Sequence, residues 1–166
     1  MEVKLMKSAF EIIINNSKDI MFVKDEFLIY RAASEAFVKM TGNSSVSDIV
    51  GHTDLEIFEN KELAKRYISD DHRLLSKEED LTDYVEPITD DHGKARYGST
   101  SKYILRDEKK KAIGILGITK DITTEYLVRK RYQQELKYLF ELPKDTYAVC
   151  YIDVDDWRVI SQRRQN

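Results

Sequence analysis

Hydrophobic positions along this chain follow two rhythms, and the changes between them mark out the elements. Val3, Met6, Phe10, Ile13 and Ile14 recur close to helical spacing and predict a helix over 3–16, ended by Asn15-Asn16-Ser17. Ile20-Met21-Phe22-Val23 and Phe27-Leu28-Ile29-Tyr30 are β-prone runs around Lys24-Asp25-Glu26 and predict a hairpin. Ser34 can cap a short helix running to Met40, with Glu35 in its first turn and Gly42 as the stop. Residues 44–58 are broken by Gly51 and offer only one-turn helices. Asn60 caps the next helix, whose stripe is Leu63, Ala64, Tyr67, Ile68, Leu74 and Leu75. After Asp80 the period shortens to strands over 81–89, 95–105 and 112–121, separated by Asp90-Asp91-His92-Gly93 and Arg106-Asp107-Glu108-Lys109. The last strand ends in Asp121-Ile122-Thr123 and passes without Gly or Pro into a charged helical stretch over 124–142.

An isolated hairpin is only marginally stable, so the two early strands must sit beside the three late ones. The expected fold class is α+β: a five-stranded antiparallel sheet with helices on one face, flanked by N-terminal and C-terminal amphipathic helices. The middle helices then enclose a small interior, which is the shape of a binding module.

The 166 residues suit one domain with the start of a second. The expected divisions are an N-terminal helix (1–17), a central domain (18–123), a linker helix (124–142) and a truncated second unit (143–166). No apolar run approaches the ~20 residues of a membrane-spanning helix. The first residues, Met1-Glu2-Val3-Lys4, have no signal-peptide core, so a cytoplasmic location is expected, with no membrane segment. A net charge of −3 gives no general attraction for nucleic acid, and Lys109-Lys110-Lys111 and Arg163-Arg164 read as solvated. Cys150 has no cysteine partner, and with three scattered histidines no structural metal site is expected.

The chain resembles a PAS domain over roughly residues 8–124. The resemblance rests on residues 20–25, on Ala33-Ser34-Glu35-Ala36-Phe37 with Thr41-Gly42, and on Ile49-Val50-Gly51-His52-Thr53-Asp54. Asp70-Asp71 before Leu74-Leu75, Gly93, and Gly114 through Asp121-Ile122-Thr123 complete it. It implies the PAS fold, and hydrogen bonding by Asp121 and Thr123 at the junction between last strand and exit helix. Many PAS domains place an asparagine where this chain has Arg31-Ala32-Ala33-Ser34, so no role is carried over from it.

PAS domains hold haem, flavin or small metabolites. A flavin photosensor of the cysteine-adduct type is excluded, because Cys150 lies beyond the domain and no Asn-Cys-Arg element exists. Haem is disfavoured: His72 sits between Asp71 and Arg73, one to two turns toward the C-terminal end from the haem-type position, and His52 and His92 lie in loops. A small metabolite stays open, so the cofactor is unknown. Tyr67, Tyr84, Tyr97, Ser99, Ser101 and Tyr103 are the candidate cofactor-binding residues. Asp70-Asp71 and Asp90-Asp91 read as helix-surface and turn residues, no catalytic set is apparent, and the domain is not expected to be an enzyme.

Val128, Tyr132, Leu136 and Leu139 form a narrow apolar seam on the exit helix, favouring a homodimer through the flanking helices. In the tail, Pro143-Lys144-Asp145, residues 149–153 and residues 157–160 echo residues 17–29, as if a second PAS-like unit begins. The rival reading of residues 151–160 is the first metal-binding strand of a degenerate GGDEF diguanylate cyclase fused to a structural PAS spacer, but Ser161-Gln162 replaces the Asn-Asp of that family. The whole pattern implies a PAS sensory or dimerisation module of a bacterial signalling protein. A small molecule or partner would act through the exit helix on a cyclase, kinase or further sensor.

Overall fold

The computed structural model describes residues 2–89, 94–141, 150–152 and 159–161. Helix α1 spans Glu2–Asn16 and leads into strands β1 (Ile20–Asp25) and β2 (Tyr30–Ala33). Helix α2 (Glu35–Thr41), a 3₁₀ turn (Val46–Asp48), α3 (Asp54–Ile57) and α4 (Lys61–Lys77) follow. Strands β3 (Leu81–Thr89), β4 (Ala95–Arg106) and β5 (Ala112–Asp121) close the sheet, whose order is β2-β1-β5-β4-β3 with every pair antiparallel. The α+β architecture expected from the periodicity is the observed one.

Local chemistry explains the boundaries. The Ser34 hydroxyl caps α2 by accepting the Phe37 amide at 3.2 Å. It also accepts the Met21 amide at 2.9 Å and donates to the Asp19 carbonyl at 2.9 Å, tying the cap to β1. Gly42, at φ 73°, ends the helix in the left-handed conformation that favours glycine. Asn60 caps α4 by accepting the Leu63 amide at 3.1 Å.

One boundary departs from expectation. Residues 27–29 form the turn rather than a strand, because the Asp25 carboxylate accepts the amides of Phe27 at 2.9 Å and Ile29 at 3.0 Å. Leu28 takes φ 60° yet is buried, while Phe27 stands in solvent. Strand β2 accordingly begins at Tyr30.

The interior holds an aromatic cluster, with Phe22, Tyr30, Phe37 and Phe58 at its centre, and an aliphatic one of Leu28, Leu74, Ile104 and Ile115. Phe37 sits 5.3 Å from Phe22 and 5.2 Å from Tyr30, ring centre to ring centre.

The chain divides into one compact unit ending at Thr123 and another beginning at Thr124. Helix α5 runs Thr123–Glu141, with the Arg131 guanidinium 2.9 Å from Glu135 one turn on. Strands β6 (Cys150–Ile152) and β7 (Val159–Ser161) pair antiparallel. The carboxylates of the GGDEF-like reading, Asp153, Asp155 and Asp156, lie outside the described residues, as do Pro143-Lys144-Asp145 of the repeat.

Candidate functional site

A cavity of about 460 Å³ opens between α4 and the inner face of the sheet, within the range of small-molecule sites. Phe22, Tyr30, Phe37, Phe58, Tyr67 and Tyr84 supply its aromatic wall. Its polar wall is a chain of charged side chains that the apolar pattern conceals.

Lys24 lies on β1 two residues after Phe22 and therefore faces the same interior. Its ammonium donates to Asp54 and to Asp71, each at 2.6 Å, and stands 4.6 Å from the centre of the Tyr30 ring. Asp54 is delivered by the first turn of α3, which Thr53 and Glu56 cap reciprocally. Its other oxygen accepts the Tyr30 hydroxyl at 2.8 Å. Asp71, on α4, accepts Lys102 of β4 through its other oxygen. The sequence Tyr30–Asp54–Lys24–Asp71–Lys102 is thus continuous, and Lys24, Asp54 and Asp71 are almost wholly removed from solvent.

Such burial is tolerable only because each charge meets opposite charge and hydrogen bonds. Burial, reinforced by Asp54, pushes the Tyr30 phenol well above its ordinary range. Burial, with Glu86 and Asp54 adding to it, pushes Tyr67 up to about 12. Both phenols therefore stay protonated and can donate at neutral pH.

Of the residues singled out from the sequence, Tyr67 and Tyr84 line the cavity. Tyr97, Ser99, Ser101 and Tyr103 do not. The inward positions on β4 are Thr100 and Lys102, and side chains one residue away point to the other face. The Thr100 hydroxyl meets Glu86 at 2.5 Å and Thr119 at 2.8 Å, joining β3, β4 and β5 across the cavity floor. Asp71 is also corrected: it is buried in the network, whereas Asp70 beside it pairs with Arg73 at 3.3 Å nearer the surface.

The missed residues left a legible signal. The α4 stripe steps from Tyr67 and Ile68 to Leu74 and Leu75, and the vacant position between them is Asp71. Lys24 and Lys102 likewise occupy the inward parity of their strands. A charge at a position whose neighbours demand an apolar residue marks a buried network or a site.

The strand-to-helix junction is closed by hydrogen bonds. The Asp121 carboxylate accepts the Thr123 amide at 2.9 Å and the Thr123 hydroxyl. That hydroxyl accepts the Tyr97 amide at 3.0 Å, and the Tyr97 carbonyl accepts the Ile122 amide at 2.9 Å. Tyr97 therefore serves the junction through its backbone. Arg96 approaches Asp121 at 3.5 Å.

Among the described residues no group of three or more His, Cys, Asp or Glu side chains is placed to hold a metal ion. No helix among them is long and apolar enough to cross a membrane.

The PAS_4 family model, described as PAS fold, matches residues 14–127. None of the curated proteins matches the chain. Among solved structures, the PAS domain of Bordetella pertussis BvgS is similar at TM-score 0.61 and 19% identity, covering 78% of this chain and 96% of that one. The phage VqmA–DPO complex is similar at TM-score 0.62 and 19% identity, covering 81% and 61%. The Vibrio cholerae VqmA dimer, solved without its target DNA, is similar at TM-score 0.60 and 17% identity, covering 73% and 52%. At these identities the likeness is one of fold, and the chain spans little more than half of the Vibrio VqmA it matches.

Proposed function

The chain belongs to the PAS fold family, and from that premise we propose that it is a cytoplasmic sensory module that binds a small molecule and relays its presence through α5. The observation that carries this reading is the short path from cavity to junction. Thr119 lines the cavity and lies two residues before Asp121 on β5; Thr100 lines it and lies three residues after Tyr97 on β4. A ligand that shifts Thr100 and Thr119 would pull on the strands whose next residues hold Thr123. Such a relay needs two states of different ligand affinity.

The similar VqmA has been solved with DPO, which supports a small-molecule role for this cavity without naming its ligand. With a net charge of −3, the module is read as the sensing part rather than a nucleic-acid-binding part. Its output would be a downstream cyclase, kinase or further sensor. No catalytic role is assigned to the module.

Two measurements test the ligand reading. Mass spectrometry of the purified protein under native and then denaturing conditions is expected to release a compound small enough for the cavity, or a metabolite screen to raise Tm. No released compound and no stabilising metabolite would overturn it. For the relay, hydrogen exchange at the Ile122 and Thr123 amides is expected to change on ligand addition; unchanged exchange would leave binding without relay.

A homodimer through the flanking helices is part of the same proposal. Val3, Leu5, Met6, Ile12 and Ile13 of α1 stand in solvent, an apolar surface suited to a second copy. Sedimentation of the M6E/I13E variant is expected to show the monomer mass where the unaltered chain shows twice that mass; equal masses would refute pairing through α1.

A further inference from the structure

Gly98 is a glycine without a backbone reason. It lies inside β4, paired with Glu86 of β3 and Asp121 of β5, and its φ is outside the left-handed region. What the position requires is the absent side chain. A Cβ there would stand 2.6 Å from Thr119 Cγ2, and 3.1 and 3.3 Å from Ile88 Cγ2 and Cδ1. Side chains of β3 and β5 therefore lean from both sides over a bare stretch of the strand between them.

Thr119 and Ile88 both line the cavity, whereas Gly98 does not. The residue they rest on is joined to the strand-to-helix junction in two ways. Tyr97, its chain neighbour, donates its amide to the Thr123 hydroxyl and accepts the Ile122 amide through its carbonyl. Asp121, its partner on β5, accepts the amide and the hydroxyl of Thr123. Thr119 is also held by its other branch, because its hydroxyl meets that of Thr100 at 2.8 Å. Turning its methyl away from Gly98 would break that hydrogen bond, so Thr119 cannot yield by rotation alone. A displacement of Thr119 or Ile88 then reaches the Gly98 backbone with no flexible side chain in between.

We infer that Gly98 is the positioning residue that couples the cavity to the junction. Thr119 and Ile88 bear on its Cα, and the spacing they set holds Tyr97 in line with Ile122 and Thr123. This rests on the relay reading above and names the contact that carries it.

Amide exchange in the full chain tests the assignment at Tyr97, Ile122 and Thr123. The Asp25 and Tyr30 amides, hydrogen-bonded at the far end of the sheet, serve as the reference. Gly98→Ala forces a methyl against Thr119 and is expected to speed junction exchange about tenfold, with the reference amides within about twofold. Adding Thr119→Ser removes the methyl that is struck, keeps the hydroxyl for Thr100, and is expected to restore most of the protection. A general loss of stability would speed junction and reference amides together, so the pattern separates coupling from damage.

The same contact can be approached from the cavity side. Ile88→Ala withdraws both atoms that stand over Gly98 and is expected to speed junction exchange at least about threefold. Leu63→Ala opens the α4 wall of the cavity instead and is expected to leave the junction unchanged. This pair decides the matter should Gly98→Ala fail to fold.

Unchanged junction exchange in folded Gly98→Ala overturns the assignment. So does failure of Thr119→Ser to restore protection, or an equal response to Ile88→Ala and Leu63→Ala. Each of these leaves the ligand reading standing, since native mass spectrometry and the metabolite screen decide that. A failed ligand search beside the expected exchange pattern would remove the small molecule and keep Gly98 as the coupling contact.

Discussion

Ser99 and Thr100 are neighbours on β4 with nearly the same side chain, and Asp70 and Asp71 are neighbours on α4 with the same one. In each pair the second residue faces the interior and the first does not. Thr100 is buried and bridges Glu86 to Thr119, whereas the Ser99 hydroxyl only reaches Asp83 at 3.5 Å near the surface. Asp71 is enclosed between two lysines, whereas Asp70 meets Arg73 at the rim. What a residue does here is decided by the parity of its strand or the phase of its helix more than by its type. The two pairs differ by one residue in sequence and by a whole solvent environment in space.

The largest effect should come from the acidic pair. Asp71→Asn would leave Lys24 and Lys102 sharing too little negative charge in a buried site, and a loss of about 3–5 kcal/mol is expected. Asp70→Asn removes only a partly exposed pair and should cost less than about 1 kcal/mol. Urea denaturation of both variants checks the contrast. Similar losses would mean that the two carboxylates are equally buried and that the helix phase is wrong.

One turn before Asp71, Tyr67 offers a contrast that depends on pH. Its folded-state pKa of about 12 lies above the ordinary 10, so its contribution is fully present below pH 10 and is lost as pH rises toward 12. In that window the unaltered chain should lose up to about 1.4 kcal/mol per pH unit more than Tyr67→Phe. Denaturation of both proteins at pH 8, 10 and 11.5 measures the difference. Parallel curves would place the phenol in water.

The same parity explains what could be read from the sequence. The sheet, the Ser34 and Asn60 caps and the short helices before α4 were legible because each rests on local chemistry. A hydroxyl or amide cap is written within three residues of the amide it serves. The cavity wall was not, for two reasons. Aromatic residues at 97 and 103 drew attention to the odd positions of β4, although strand alternation alone cannot say which parity faces inward. Lys24, Asp54, Asp71 and Lys102 are also far apart in sequence, and only their intrusion into apolar positions announces them. Residues 27–29 show a third failure: a β-prone run was overridden by the side chain of Asp25, which gathered its amides into a turn.

Thr100→Val tests the inner member of the strand pair at nearly constant shape. The variant removes the hydroxyl that Thr119 and Glu86 share, leaving the buried Thr119 hydroxyl without that partner. A loss of about 1–3 kcal/mol is expected. Because Thr100 lines the cavity, the affinity for any stabilising metabolite found in the screen should fall with it. A neutral result would mean that water replaces the hydroxyl, and that the three strands are not joined through it.

Ser99→Ala is the smallest step and the most discriminating about the outer face. Its hydroxyl makes a long contact at the surface, so removing it should change stability by no more than about 0.5 kcal/mol. Ligand affinity should not move, since Ser99 is absent from the cavity wall. The measurement gains meaning when repeated over a range of protein concentrations. If the loss grows with concentration beyond about 1 kcal/mol, the outer face is covered by a second copy, and burial on association supplies the penalty that the isolated sheet does not. If it stays small at every concentration, pairing is confined to the helices, and the outer face of β4 near Ser99 is open to solvent in the working molecule.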